Sequence, residues 1–332
     1  MRGAFFLYVP LAFFVVEFLS MKRIGITIGD INGIGPEIAL KAAAYGRWPA
    51  DVKFVFIGSE KIVREQAAVM KIPVSRKIEF HDVGHAKWIP GKIRVDASCL
   101  AEAAIREAVT DCLSGKLDAM VTAPICKEGF HKAGINVPGH TEFLAELTGT
   151  KNFGMMLLGG GLRVMLVTRH LPISEVAGAL TKKTIREHIE LTGDALKLFG
   201  ISNGKIGVCG LNPHAGDGGV LGTEEKTLIN PAIRAARKKG FNVSDTVPAD
   251  TIFYEALRGD YDAVVAMYHD QGLGPLKMIG FYEGINVTLG LPIIRTSPDH
   301  GTAFGIAGQG IASAKSMKNA IRLAIEMADK PN

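Results

Sequence analysis

The sequence predicts an α/β protein in which a mainly parallel sheet is covered by helices. From Met21 onward, short runs of aliphatic and β-branched residues alternate with longer helical stretches, and the runs are almost continuously apolar. Such runs are typical of strands that are buried on both faces. At 332 residues the chain is longer than one hydrophobic core usually serves, so we expect two lobes.

Six strands and six helices are predicted. The strands are residues 23–28, 52–57, 119–122, 162–167, 205–209 and 263–267, and the helices are residues 36–44, 60–70, 99–113, 184–198, 223–239 and 316–328. Pro36 stands in the first turn of the first helix, where proline is tolerated. Gly200 directly follows the helix that runs to Phe199, as expected for a glycine that ends a helix.

Residues 1–20 are far more apolar than the rest of the chain. Pro10 and Glu17 interrupt this run, which is short for a membrane span, and no small-residue cleavage site follows it. Met21 leads directly into the first strand. We interpret residues 1–20 as an extension that precedes the natural start, with a secretory or anchoring segment as the alternative.

Charge and cysteine content exclude several classes of protein. The net charge is +5, but the basic residues are scattered along helical stretches, so neither a nucleic-acid partner nor a membrane partner is expected. The four cysteines are widely separated, without a Cys-x-x-Cys pair, which indicates reduced thiols in a cytoplasmic protein.

A glycine-rich turn, residues 29–37, follows the first strand. It reads Gly-Asp-Ile-Asn-Gly-Ile-Gly-Pro-Glu, which lacks the Gly-x-Gly-x-x-Gly spacing of a dinucleotide fingerprint. Pro36 also removes a helix-start N–H donor that a pyrophosphate would use. A tight strand-to-helix turn explains the glycines without a ligand.

Three histidines, His170, His214 and His269, each stand in a loop beyond a predicted strand. Equivalent strand ends can converge, and three imidazoles with an open position are a usual arrangement for a catalytic divalent metal. The separations along the chain are long, so the spacing alone leaves a shared site and three unrelated histidines equally open. His300 is expected near the cleft without being a ligand.

Two further polar groups are candidates for binding an anion. His140 and Thr141 follow a glycine, and their side chains offer neutral donors and acceptors, although Thr141 is also a candidate helix cap. Lys277, Asn286 and Arg295 punctuate an apolar, glycine-rich stretch. A buried arginine at position 295 would need an anionic partner, such as a carboxylate or a phosphate.

Taken together, the polar segments resemble the 4-hydroxythreonine-4-phosphate dehydrogenase family from Met21 to near Ala328. The segments that carry the resemblance occur in one order: Gly-Asp-x-x-Gly-Ile-Gly-Pro-Glu, Val-Thr-Ala-Pro-Ile-x-Lys, Gly-His-Thr-Glu-Phe-Leu, Asn-Pro-His-Ala-Gly, Pro-Ala-Asp-Thr, Ala-Met-Tyr-His-Asp-Gln-Gly and Thr-Leu-Gly-Leu-Pro-x-Ile-Arg-Thr-Ser-x-Asp-His-Gly-Thr-Ala.

The resemblance implies a two-lobed α/β/α fold of the isopropylmalate dehydrogenase type, with the active-site cleft between the lobes. Residues 21–140 with 288–332 would form the first lobe, and residues 141–287 the second, which would hold the metal site and the dimer interface. It further implies a homodimer with a shared active site. The implied metal ligands are His170, His214 and His269, and the implied substrate contacts are His140, Thr141, Lys277, Asn286 and Arg295.

The implied reaction is the oxidation of 4-phosphohydroxy-L-threonine by NAD or NADP with a divalent metal (zinc, magnesium, manganese or cobalt). The β-keto acid product would lose carbon dioxide to give 3-amino-2-oxopropyl phosphate, in vitamin B6 biosynthesis. Asp250 and Asp270 are candidate bases, or orienters of the imidazoles, or helix caps, and Lys277 is a further catalytic candidate. The cofactor is expected along residues 29–35 and 289–303.

Several alternatives stay open at the level of sequence. Related dehydrogenases oxidise 4-phospho-D-threonate, 4-phospho-D-erythronate or an aromatic cis-dihydrodiol dicarboxylate. A metal-dependent decarboxylase or lyase would need no NAD. A metal- or ligand-binding sensor would show no turnover at all.

Overall fold

The computed structural model describes residues 21–329, and these residues build one sheet of eleven strands covered on both faces by helices. The α/β class predicted from the sequence is confirmed. The apolar segment 1–20 lies outside the described residues. Within residues 21–329, no helix combines the length and the apolar character that a membrane crossing requires.

The sheet has the order β3-β2-β1-β4-β11-β10-β5-β6-β9-β7-β8. The strands are β1 (Lys22–Thr27), β2 (Val52–Gly58), β3 (Ile78–Asp82), β4 (Ala119–Thr122), β5 (Gly154–Gly159), β6 (Leu162–Leu166), β7 (Ile206–Cys209), β8 (Val243–Val247), β9 (Ala263–Ala266), β10 (Ile285–Leu289) and β11 (Arg295–Pro298). Pairing is parallel except at β11–β10, β10–β5 and β5–β6, which are antiparallel.

Residues 21–329 also contain eleven α-helices. They are α1 (Gly35–Tyr45), α2 (Glu60–Val69), α3 (Val95–Leu113), α4 (Lys127–Lys132), α5 (His140–Leu147), α6 (Ile173–Ala179), α7 (Lys182–Leu198), α8 (Asn230–Lys238), α9 (Ile252–Leu257), α10 (His269–Gly280) and α11 (Lys315–Ala328). Short 3₁₀ segments span Pro213–Gly219 and Phe304–Ile306, and a π-helical turn spans Glu225–Ile229.

All six predicted strands and all six predicted helices are present, with shifts of a few residues at their ends. Five strands were not predicted. β3 and β8 are edge strands with partly exposed polar residues, so they lack a continuous apolar run. β5 begins and ends in glycine, and β10 and β11 flank a Gly/Pro-rich loop, so their signals were weak.

Two helix caps expected from the sequence are wrong. Helix α5 has Gly139 at its N-cap, so Thr141 lies inside the first turn, where it is buried and makes no capping bond. Helix α9 has Thr251 at its N-cap, and Asp250 stands one residue before it. The cap positions shift by one or two residues because the helices begin where the preceding loops leave the sheet, which sequence alone does not specify.

The helices form two layers, and the layers differ between the faces of the sheet. On one face, α1, α2, α7, α8 and α11 pack on a single apolar core that runs across the whole sheet. On the other face, α3, α4 and α5 cover a separate core under β2 and β4, while α9 and α10 cover another under β6 and β9. The space between these two helix groups is a cleft over the centre of the sheet.

The chain forms β1 to β4 on one side of this cleft, crosses to form β5 to β10 on the other side, and returns to the first side with β11. Strands β1 to β4 and β11 lie on one side of the sheet order, and β5 to β10 lie on the other. The exact lobe boundaries, 21–140 with 288–332 and 141–287, stay a prediction. The four cysteines are free, as predicted.

Candidate active site

The cleft has a volume of about 370 Å³ and is lined by polar side chains from both sides of the sheet. Five predicted substrate-binding residues line it together: His140, Thr141, Lys277, Asn286 and Arg295. They are contributed by α5, α10, β10 and β11. The antiparallel insertion of β10 between β11 and β5 brings these elements to one place.

Arg295 forms the floor of the cleft. It is 2% exposed, and its guanidinium group donates hydrogen bonds only to neutral oxygens. Nε and Nη2 donate to the Thr122 hydroxyl at 3.1 and 2.6 Å, and Nη1 donates to the Thr288 hydroxyl at 3.0 Å. Nη1 also lies 3.4 Å from Oδ1 of Asn286.

The charge of Arg295 has no hydrogen-bonded counter-ion among residues 21–329. Burial lowers the pKa of this guanidinium to about 9, an effect that the Glu142 carboxylate opposes. Glu142 is itself paired with Arg169 at 3.2 Å. A buried cation held only by hydroxyl and amide oxygens is costly, and an anion bound in the cleft would relieve that cost. The cleft is therefore suited to an anionic ligand.

His140 opens helix α5 beside this guanidinium. Its side chain is half-buried, and its buried Nε2 atom has no hydrogen-bond partner within the described chain. Burial, with the nearby Arg295 and Lys127 charges, holds the pKa of His140 well below its usual range. The imidazole is therefore neutral near pH 7 and leaves one ring nitrogen free to bind a ligand.

Lys277 and Asp299 face each other across the cleft. Lys277 Nζ lies 3.5 Å from Oδ2 of Asp299, and burial raises the pKa of this carboxyl group, with Lys277 opposing the effect. His300 also lines the cleft, as expected. Such a pair can hold a proton next to a bound ligand.

His170 and His269 lie at the edge of the cleft with ring centroids 5.7 Å apart. The Nδ1 atom of His269 lies 2.7 Å from Oδ1 of Asp270, which leaves the Nε2 atom of His269 available. A carboxylate on the second nitrogen is the usual partner of a metal-binding histidine. Burial lowers the pKa of His170, which also favours the neutral, ligating form.

His214 does not form a three-ligand group with these two histidines within one chain, since the described residues contain one such group, at His81, Glu107 and Asp111. His81 lies 3.0 Å from Asp111, which also pairs with Lys116, so that group is an ion-pair network. His214 stands exposed on a left-handed loop. Its role as the third ligand of a site shared between two chains stays a prediction.

Sequence reasoning left out several residues that build the cleft. Thr122 and Thr288 hold Arg295, Glu142 pairs with Arg169, and Asp299 pairs with Lys277. Thr122 is the last residue of β4. A polar residue at the end of a buried strand was the feature of the sequence that could have identified it as a site residue. Asp250, a candidate base, is exposed and does not line the cleft, so its role stays a prediction.

The glycine-rich turn packs against backbone. Gly29 has φ +68°, and a side chain there would meet the Pro124 carbonyl oxygen at 2.3 Å. A side chain at Gly33 would meet the Thr302 carbonyl oxygen at 2.8 Å. Close packing therefore accounts for both glycines, and the placement of a cofactor along this turn stays a prediction.

Comparison with known proteins identifies the family of this chain. Residues 40–324 match the profile of the pyridoxal phosphate biosynthetic protein PdxA. The chain belongs to the PdxA family. A 4-hydroxythreonine-4-phosphate dehydrogenase of Geobacter metallireducens is 44% identical over 330 residues, which cover 93% of this chain and 96% of the relative.

Two further relatives are similar to this chain over nearly their whole length. A D-threonate 4-phosphate dehydrogenase of Cupriavidus necator is 42% identical over 324 residues, with 92% of this chain and 97% of the relative covered. The crystal structure of a 4-hydroxythreonine-4-phosphate dehydrogenase from Klebsiella pneumoniae has a TM-score of 0.83 at 39% identity, covering 93% of this chain and all of that one. The chain is a dehydrogenase of the PdxA type.

Proposed function

We propose that this chain oxidises 4-phosphohydroxy-L-threonine with NAD or NADP and a divalent metal, in vitamin B6 biosynthesis. The oxidised product, 2-amino-3-oxo-4-phosphobutanoate, then decarboxylates to 3-amino-2-oxopropyl phosphate. The observation that carries the proposal is Arg295, a buried cation that has no carboxylate partner among residues 21–329 and that lines a cleft beside a pair of histidines.

Phosphate is the anion that this cleft suits best. Two threonine hydroxyls fix the guanidinium fork, and planar forks recognise phosphate and carboxylate oxygens through paired hydrogen bonds. Thr141 and the free Nε2 atom of His140 add neutral groups on the same side. Lys277 and Asn286 also line the cleft, where they can contact the rest of the substrate.

The histidine edge of the cleft fits a divalent cation. His170 and His269 present two adjacent imidazoles, and Asp270 orients the second one. In our proposal His214 supplies the third ligand. A zinc, magnesium, manganese or cobalt ion bound there would polarise the oxygen atoms at the reacting carbon.

Lys277 and Asp299 are our candidates for moving the proton of the reacting hydroxyl. The pair lines the same cleft as Arg295 and His170, and it contains one group that can give a proton and one that can take it. Asp270 then orients His269, and Asp250 is the second candidate base. NAD or NADP would accept the hydride.

We also propose a homodimer whose two chains share the site. Helix α10, which begins at His269, ends in an exposed apolar surface formed by Met278, Ile279, Phe281 and Tyr282. Exposed apolar patches of this kind are common at protein–protein interfaces. The same helix would then connect the dimer interface with the metal-binding histidines.

The direct test uses purified protein stripped of metal with a chelator. NADH absorbance is followed with 4-phosphohydroxy-L-threonine before and after zinc, cobalt, manganese or magnesium is added. We expect turnover to return with metal, and Arg295→Gln to raise KM strongly because the phosphate loses its buried cation. If the turnover rate is the same with and without added metal, the proposed metal dependence is wrong.

A second candidate, oxidation of 4-phospho-D-threonate, is supported by the comparisons, because relatives of that name are almost as similar as those acting on 4-hydroxythreonine phosphate. The two substrates share the phosphate and the reacting hydroxyl, so both suit the same cleft. Parallel assays with 4-phospho-D-threonate and 4-phospho-D-erythronate decide between them. Absence of NADH with every substrate would favour a sensor.

A further inference from the structure

The loop that carries His214 has an unusual backbone. Five consecutive residues, from His214 to Gly218, have positive φ angles between +42° and +80°. Three of them, His214, Ala215 and Asp217, carry side chains, which disfavour this conformation. Such a run persists only where the surrounding structure imposes it, and strained backbone of this kind concentrates at functional sites.

The Glu225 side chain fixes the backbone that leads into this loop. It is 3% exposed, and its Oε1 atom accepts hydrogen bonds from the backbone N–H groups of Leu211 and Asn212 at 2.9 and 2.8 Å. Its Oε2 atom accepts from Nδ2 of Asn212 at 3.0 Å. Glu225 is the first residue of the π-helical turn, a kind of irregularity that is frequent at functional sites.

Gln271 ties the same loop to the helix that carries His269. It is buried on the first turn of α10, two residues after His269. Its Nε2 atom donates to the Gly210 carbonyl at 2.7 Å, and its Oε1 atom accepts from the Met267 N–H at 2.7 Å. One side-chain amide therefore bridges the strand end before His269 and the strand end before His214.

We infer that Gln271 and Glu225 are positioning residues of the metal site, which set the His214 loop relative to His269. The inference rests on the proposed metal-dependent function. Neither side chain lines the cleft, so neither contacts substrate. The coupling acts within one chain, so it holds whichever two protomers supply the histidines around one ion. Groups that orient metal ligands affect affinity for the ion as well as geometry.

The test compares Gln271→Met with Gln66→Met in the full-length protein. Gln66 is the matched control, because it is also buried and also donates from Nε2 to a backbone carbonyl, that of Ile31, at 2.9 Å, on the other side of the cleft. Both variants lose a buried hydrogen bond from a side-chain amide to a backbone carbonyl, and Gln271→Met also loses the bond that Oε1 accepts from the Met267 N–H. Cobalt(II) affinity of stripped protein and amide hydrogen exchange of Leu211 and Asn212 are measured in each.

We expect Gln271→Met to weaken cobalt binding about 10- to 100-fold. We also expect the Leu211 and Asn212 amides of the metal-free protein to exchange faster. Gln66→Met should leave both quantities unchanged although it also lowers the melting temperature. Glu225→Gln, which keeps one acceptor oxygen, should give a smaller change in the same direction as Gln271→Met.

The outcomes separate the two levels of the proposal. Cobalt bound equally tightly by Gln271→Met and by the unchanged protein would overturn the positioning role and leave the metal function standing. If the unchanged protein binds no cobalt, the metal function itself is overturned. Equal losses of affinity in Gln271→Met and Gln66→Met would show a general stability effect and also overturn the positioning role.

Discussion

At the scale of single residues, the site depends on side chains that look unremarkable in the sequence. Thr122 and Thr288 are two threonines among many, yet their hydroxyls hold the buried guanidinium of Arg295. Hydrogen bonds to a charged group contribute more than those between neutral groups, about 1.5–3 kcal/mol each. The orientation of the anion-binding fork therefore depends on neutral neighbours.

Replacing Thr122 tests this dependence. Thr122→Val removes the oxygen that accepts from both Nε and Nη2, so the fork loses its fixed orientation. We expect KM for the phosphorylated substrate to rise about tenfold or more, from a loss of at least about 1.4 kcal/mol. Steady-state kinetics of Thr122→Val and Thr122→Ser measures the change in KM. Thr122→Ser keeps the hydroxyl and is the control, so equal KM values in the two variants would contradict the role.

Asp30 gives a prediction on pH and stability. Burial raises the pKa of its carboxyl group from 3.8 to about 6, so the folded chain binds this proton more tightly than the unfolded chain. The contribution to stability is therefore fully present below pH 3.8 and is lost as the pH rises through 6. The loss amounts to about 3 kcal/mol.

Asp30→Asn removes the ionisation. We expect the free energy of unfolding of Asp30→Asn, relative to the unchanged protein, to rise by about 2 kcal/mol between pH 4.5 and pH 7.5. Urea unfolding at several pH values measures the difference. Asp194→Asn, which removes an exposed carboxyl group paired with Lys197, is the control. A difference that does not change with pH would contradict the assignment.

At the scale of elements, the turn from β1 into α1 shows how packing decides a loop. Its glycine pattern resembles a nucleotide-binding turn, yet the space at Gly29, Gly33 and Gly35 is occupied by neighbouring main-chain atoms. At Gly35, for example, a side chain would lie 2.3 Å from the Ile28 carbonyl oxygen. The turn holds the C-terminal end of β1, the first helix and the loop at Thr302 close together.

Gly29→Ala and Gly115→Ala separate packing from backbone conformation. Both glycines have positive φ, +68° and +73°, but a side chain at Gly115 meets nothing within 4 Å. We expect Gly115→Ala to cost about 1 kcal/mol, from conformation alone. Gly29→Ala should cost at least about 3 kcal/mol because it also forces the backbone at Pro124 to move. Thermal or urea unfolding gives both values, and equal costs would rule out the packing explanation.

The elements themselves were largely predictable. The six strands with continuous apolar runs and the six periodic helices are present because local pattern and final burial agree for them. The edge strands β3 and β8 escaped prediction because one side of each is open to solvent and carries polar residues. The antiparallel β10 and β11 escaped because their pairing depends on partners more than 100 residues away, such as β4 and β5.

At the scale of the whole molecule, the exposed end of α10 predicts self-association. Met278, Phe281 and Tyr282 are 84%, 67% and 74% exposed, which is unusual for adjacent large apolar side chains. We expect Phe281→Glu with Tyr282→Glu to shift a dimer towards monomers, measured by sedimentation equilibrium. Tyr45→Glu, at an exposed position on α1, is the control and should have no effect. A dimer that survives the double change would place the interface elsewhere.

The amino-acid sequence was sufficient to predict the α/β class, the order of the main strands and helices, and which polar residues stand at strand ends. These properties follow from local periodicity and turn chemistry, which nearby residues encode. The five predicted substrate-binding residues do line one cleft, and His170 and His269 are neighbours.

The contacts that support those residues depend on the three-dimensional fold and could not be predicted from the sequence. That Arg295 is buried against Thr122 and Thr288, that Asp299 faces Lys277, and that Gln271 links the His214 loop to α10 all depend on long-range packing. Each of these contacts joins side chains from different strands or helices. Their pairing is set by the insertion of β10 into the sheet and by the covering helices, which no local pattern specifies.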